Sequence, residues 1–219
     1  DKTTGSALRS QARQSEKEIE VCARCHSRRS LITEDYQPGE RFADHHIPRL
    51  LDEGMYYPDG QIQHEVYVYG SFLQSKMYHK GVTCSDCHEP HSLQLRQQGN
   101  DVCLQCHAAE KFDNKKHHFH ELDTAGASCA ECHMPATDYM VVDPRHDHSI
   151  RIPRPDLSLE LGVPNACNRC HDDKDTTWSA DKVKQWYGEP SSGYQQFAPA
   201  LAAARLGQLK AGRMLSGLI

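Results

Sequence analysis

Gly81-Val82-Thr83-Cys84-Ser85-Asp86-Cys87-His88 decides how the rest of this chain is read, because its last five residues are one instance of a pattern that recurs. Cys-x-x-Cys-His appears again at Cys22–His26, Cys103–His107, Cys129–His133 and Cys167–His171. The five copies use all ten cysteines of the chain, Cys22, Cys25, Cys84, Cys87, Cys103, Cys106, Cys129, Cys132, Cys167 and Cys170. Each pair is followed at once by a histidine: His26, His88, His107, His133 and His171. This is the attachment pattern of c-type haem. Two thiols three positions apart reach one side of a single helical turn, where they add to the porphyrin vinyl groups. The next residue presents its imidazole to the iron.

Other uses of paired cysteines fit less well. A disulfide framework has no reason to place a histidine after every second cysteine. Structural zinc takes four ligands per ion, and five pairs leave one over. A thioredoxin-like dithiol occurs once, beside a βαβ pattern. Five haems c are therefore expected, with no catalytic residue assigned. Thioether attachment is carried out outside the cytoplasm, so an exported protein is expected, extracellular or at the cell surface, alternatively periplasmic.

Composition agrees. Of 219 residues only 37% are apolar, and the mean hydropathy is −0.74. That is lean for a soluble domain of this length, so macrocycles are expected to supply much of the core. The net charge of −5 contains no like-charge block that would suit nucleic acid or an anionic membrane, and no apolar run is long enough for a transmembrane segment. The expected fold class is mostly irregular with short α-helices and little or no β, organised around a stack of five haems. Three parts are expected: an N-terminal arm over 1–20, a pentahaem domain over 21–175 and a helical segment over 176–219.

Ten further histidines exceed the five needed as second axial ligands, and only five methionines compete with them. Bis-histidine iron is thus expected, with His46, His79, His91, His118, His120 and His148 as the distal candidates. His118 is preferred within the His117, His118 and His120 cluster, His45 is an alternative to His46, and His64 and His146 rank last. Locally, the spacing of Val66, Tyr69, Leu73 and Met77 predicts a helix over Gln61–His79, with a short strand at 66–69 as the alternative. Four prolines predict an extended strap over Pro144–Pro164. Ser179 is expected to cap a helix over Ala180–Tyr187, and Phe197–Ile219 to form an amphipathic helix pair.

Asp59-Gly60-Gln61-Ile62-Gln63, Glu65–Phe72, His117-His118-Phe119-His120, Cys132-His133-Met134-Pro135 and Asn165–His171 give the chain a family look. Over about residues 20–215 it resembles the haem domain of multihaem cytochromes that carry tetratricopeptide or HEAT-like repeats. More distantly it is similar to the cytochrome c nitrite reductase group. The resemblance implies stacked haems passing electrons, and places the start of any repeats at Ala200–Ile219. The reductase group usually has a lysine-bearing motif at its catalytic haem, and no Cys-x-x-Cys-Lys occurs here. An electron carrier is therefore expected rather than a reductase of nitrogen oxyanions. Its partners are redox proteins or further copies of itself, the latter in a head-to-tail filament held by the polar arm.

Overall fold

The computed structural model describes residues 1–92, 94–189 and 194–218. Secondary structure is short and scattered. Among the described residues the longest helix is Thr176–Tyr187, and strands occur only as three two-stranded antiparallel hairpins. These hairpins pair Arg29–Leu31 with His46–Pro48, His88–Glu89 with Gln94–Leu95, and Ala136–Tyr139 with Asp143–His146. The fold class read from the sequence is the one observed.

Several elements differ from expectation. Residues 61–68 are not helical, because Tyr67 sits at φ 59, in the left-handed region where a helix cannot pass. Helix appears only at Tyr69–Leu73 and again at Lys76–His79, where Ser75 Oγ accepts from the Tyr78 N–H at 3.0 Å. The Pro144–Pro164 segment is no strap. Its beginning completes the third hairpin, and Pro155–Leu161 is a helix with proline in its first turn and Gly162 at φ 71 closing it. The helix expected from Ala180 starts earlier, at Thr176. Asp175 caps it through the Trp178 N–H at 2.8 Å, which leaves Ser179 buried inside. The helix pair after Phe197 is present as Ala198–Arg205 and Ala211–Ser216.

The polar arm is neither frayed nor loose. Around Ser6 it forms an antiparallel bridge to motif 3, with Ala7 N–H on Cys106 C=O at 2.6 Å and Ala108 N–H on Gly5 C=O at 2.8 Å. Further along, Arg9 pairs with Asp86 inside motif 2. Arg13 donates to the Tyr78 and Val82 carbonyls just before that motif.

Aliphatic packing is thin. The one buried cluster among the described residues is Leu157, Val163 and Ala198, with Tyr57 and Leu161 against it. The accessible surface is 13762 Å² for 24.8 kDa. A well-packed monomer of that mass shows about 10,200 Å². The polypeptide is thus a shell around surfaces that its own side chains do not fill.

Candidate haem-binding sites

Each motif rides on a short turn fixed by its neighbours. Motif 1 ends the helix Lys17–His26. Motif 2 begins in the 3-10 turn Cys84–Asp86, which Thr83 and Asp86 close with a reciprocal capping box. Motif 3 straddles the end of Asp101–Leu104, motif 4 is the helix Cys129–His133, and motif 5 starts with Cys167–Cys170. Two asparagines lock these turns. Asn100 accepts the Cys129 N–H at 2.9 Å and donates to Asp113 and the Ala127 carbonyl, so motif 3 is tied to motif 4. Asn168, inside motif 5, donates to the Lys174 carbonyl at 2.8 Å and accepts from Ser179 Oγ at 2.8 Å. The Asn168 role is hinted at by its place between two cysteines. For Asn100 the sequence carries no signal.

The thiols report which motifs are neighbours. The Cys22 and Cys84 thiols lie close enough to shift each other's titration, as do those of Cys103 and Cys129. Cys87 lies within electrostatic reach of Cys106, as Cys132 does of Cys167. Motifs 1 to 5 therefore follow one another in space as in sequence. None of the ten cysteines is buried and none is in a disulfide, although free cysteine is among the most buried residue types. Partial loss of solvent around the sulfur pushes Cys84 up to about 12 and Cys132 up to about 11. That is the opposite of what a thiolate metal ligand or a redox dithiol needs. Among the described residues no three His, Cys, Asp or Glu side chains converge as a metal-holding group.

Three motif histidines each face a second imidazole. Ring centres are 6.3 Å apart for His88 and His148, 6.1 Å for His117 and His133, and 6.1 Å for His120 and His171. Imidazole–metal bonds of about 2 Å, one on each side of an iron, put two ring centres roughly 6 Å apart, so this spacing fits a shared iron and is too wide for ring-on-ring contact.

The tautomers fit as well. His133 Nδ1 donates to the Arg151 carbonyl at 2.8 Å, His148 Nδ1 to the His146 carbonyl at 2.9 Å, and His120 Nδ1 to the His118 carbonyl. A carbonyl can only accept, so the proton is on Nδ1 and the Nε2 lone pair is left for a metal. Burial holds His133 and His148 below the ordinary histidine range, as it does His88, His107 and His117 with neighbouring imidazoles assisting. They stay neutral, the form that ligates. Gly126 lies directly beneath the His120 ring, where a Cβ would collide with Cγ and Cδ2.

The remaining candidates are placed differently. His46 is 4% exposed, stacked on Phe42 at 4.7 Å, and its Nδ1 has no hydrogen-bond partner among the described residues. His45 lies between Asp35 at 3.2 Å and Glu40 at 3.1 Å, as a charge-paired group would. His118, the preferred member of its cluster, accepts the His120 N–H on Nδ1 at 3.2 Å, and its neighbours are the residues that face motif histidines. Its buried Nε2 has no described partner. His91 has a side chain 94% exposed and bound to Glu89 at 3.1 Å, turned away from the motifs. His79 ends its helix at the surface, with the Tyr78 ring edge-on. His64 and His146 are exposed, the latter bonded to the Met134 carbonyl at 2.6 Å.

Residues outside the motifs that the sequence did not disclose act behind them. Arg151, whose carbonyl holds His133, is anchored by a nearly buried ion pair to Asp59 at 3.3 Å. Gln61 binds Asp59 at 2.7 Å and the Pro164 carbonyl at 2.7 Å. Burial raises the Asp59 pKa while Arg151 opposes it. A lone Arg or Asp in a long loop gives no advance sign of such a role.

Repeated attachment motifs, neutral imidazoles and opposed ring pairs make this chain a multihaem c-type cytochrome. Known families agree. The doubled CXXCH motif family matches residues 77–112, and the cytochrome c552 family matches residues 110–212. Among solved structures it is similar to the outer cell wall cytochrome OcwA, with a TM-score of 0.56 at 16% identity over 95% of this chain. It spans 65% of that protein. No curated protein matches it in sequence. Among the described residues no helix is long and apolar enough to cross a membrane.

Proposed function

We propose that the chain carries five haems c, one per motif, and passes electrons along them in the order of the sequence. The observation that carries this reading is the set of three imidazole pairs at 6.1–6.3 Å, supported by the motif-to-motif thiol contacts. The residues that hold the groups are the ten cysteines and five motif histidines. His148, His117 and His120 are the second ligands of motifs 2, 4 and 5. His46 is the proposed second ligand of motif 1: it is buried and neutral, with an unpartnered nitrogen that would otherwise cost about 1–3 kcal/mol.

When bound, each haem would supply a one-electron iron couple, lower in potential with two imidazoles than with a methionine in place of one. The chain's residues do the rest. They fix each tautomer through main-chain carbonyls, keep the imidazoles neutral, and hold neighbouring motifs in contact. All five motifs end in histidine and none in the lysine that usually marks a catalytic haem in the nitrite reductase group, which favours a carrier over a reductase. The arm engages its own motifs 2 and 3, which favours a discrete relay over a filament. Export to the cell surface is proposed from the attachment chemistry. A denatured haem assay should return five haems per chain, all retained through acid–acetone extraction. Fewer than four, or released pigment, would overturn the reading.

A further inference from the structure

We propose that the amino-terminal strand sets the reduction potential of the haem on motif 3, through the Ser6 hydroxyl. This rests on motif 3 carrying a haem, as proposed above. The His107 ring is the only motif histidine among the described residues whose Nδ1 meets a side chain from a distant segment. Ser6 Oγ lies 3.1 Å from it, across 101 positions of sequence. With Nε2 committed to iron, Nδ1 carries the proton and the hydroxyl accepts it.

The contact belongs to a built docking site. Main-chain bonds on both sides of Ser6 hold it in register, through Ala7 to Cys106 and Ala108 to Gly5. Lys111 Nζ donates to the Thr3 carbonyl at 2.7 Å. Gly5, at φ +70, lets the strand lie close to Phe112, where an added Cβ would stand 3.0 Å from the ring. Phe112 in turn places its edge against His107, with ring centres 5.4 Å apart and planes at 88°. One face of the imidazole is therefore steered by an aromatic edge, and its Nδ1 by the arm.

The electronic consequence has a definite sign. An acceptor on Nδ1–H makes the imidazole a better donor to iron, stabilises the ferric state and lowers the potential. A neutral hydroxyl accepts more weakly than the main-chain carbonyls behind His133, His148 and His120. The potential of this haem is thus set by a residue that lies far outside its own motif.

The test is a spectroelectrochemical titration of the full-length holoprotein and its variants, with haem content measured on the same samples. Ser6→Ala keeps the main-chain bonds and should raise one of the midpoints. The expected size is about a tenfold change in that haem's ferric-to-ferrous ratio at the wild-type midpoint, 59 mV for one electron. Ser6→Thr should restore it, and Ser6→Asp should move it below wild type. Gly5→Val should lift the strand and shift the same step upward with Ser6 intact. Five haems with every midpoint unmoved in Ser6→Ala would overturn this inference and leave the five-haem relay standing. A motif 3 that carries no haem would overturn both.

Discussion

Motifs 3 and 4 are tied together by Asn100, yet their histidines are held by different means. His133 leans on the Arg151 carbonyl, and Arg151 is fixed by a nearly buried ion pair to Asp59. His107 leans on the hydroxyl of a strand laid over the surface. One support belongs to the interior and resists change. The other comes from the stretch around Ser6 and can be edited. Two sites with the same attachment sequence can thus be made electrically unequal by what stands behind them, which the motif itself does not encode.

The largest effect should come from breaking motif 4 at its open side. His117→Ala should add high-spin character at one haem in the optical spectrum; a spectrum with no more high-spin signal than wild type would remove His117 as a ligand. Next in size is Asp59→Ala, which leaves Arg151 buried without its partner. Stripping one side of such a pair costs about 3–5 kcal/mol, to be read as a lower urea midpoint. It should also shift the motif 4 potential through the loosened His133 carbonyl, and a shift in the motif 3 step instead would contradict the contrast drawn between the two. Gly126→Ala should act on motif 5 alone by displacing His120, giving partial high-spin character there.

The smallest effect concerns His91. Replacing it by alanine should leave every haem spectrum unchanged, because its side chain faces solvent. What should change is Glu89, whose carboxyl is pulled down to about 2 by the Ser92 N–H and by His91. A depressed carboxyl stabilises the fold above its ordinary pKa near 4.5 and loses that contribution as pH falls toward 2. The hairpin His88–Glu89/Gln94–Leu95 should open at higher pH in His91→Ala than in wild type. Hydrogen exchange at Arg96, whose N–H is bonded to the Cys87 carbonyl at 2.8 Å, reports it.

Chemistry that is local in the chain was legible before the fold. Five cysteine–histidine motifs are spelled out in consecutive residues, and the scarcity of aliphatic side chains pointed to an interior filled by something else. Which imidazoles come to face one another was not legible, because it depends on where a histidine sixteen to sixty positions away comes to rest. His118 was the first choice within its cluster, yet His117 and His120 are the ones that face motif histidines, the left-handed backbone at Phe119 turning His120 toward motif 5. The Gln61–His79 periodicity failed at Tyr67, whose positive φ no hydrophobic spacing reveals. The Pro155–Leu161 helix was readable in principle, since proline at the start and Gly162 just past the end are ordinary helix boundaries. Counting prolines concealed it.

Spatial neighbours that are also sequence neighbours have a bearing on how such a molecule is made. A chain emerging from its amino terminus can settle each motif against one already in place, so most closures are short searches, and short closures fold fast. Long-range partnerships break that order and must wait, among them the two that stand behind motif histidines. Ser6 is synthesised a hundred residues before His107, and Asp59 some ninety before Arg151. Until His107 arrives the arm has nothing to lie on at that end, and until Arg151 arrives the Asp59 carboxyl has no counter-charge. Chains halted during synthesis should therefore differ in kind according to where they stop: before 107 with a loose, protease-sensitive stretch around Ser6, and between 107 and 151 with that stretch fastened and an unfinished middle.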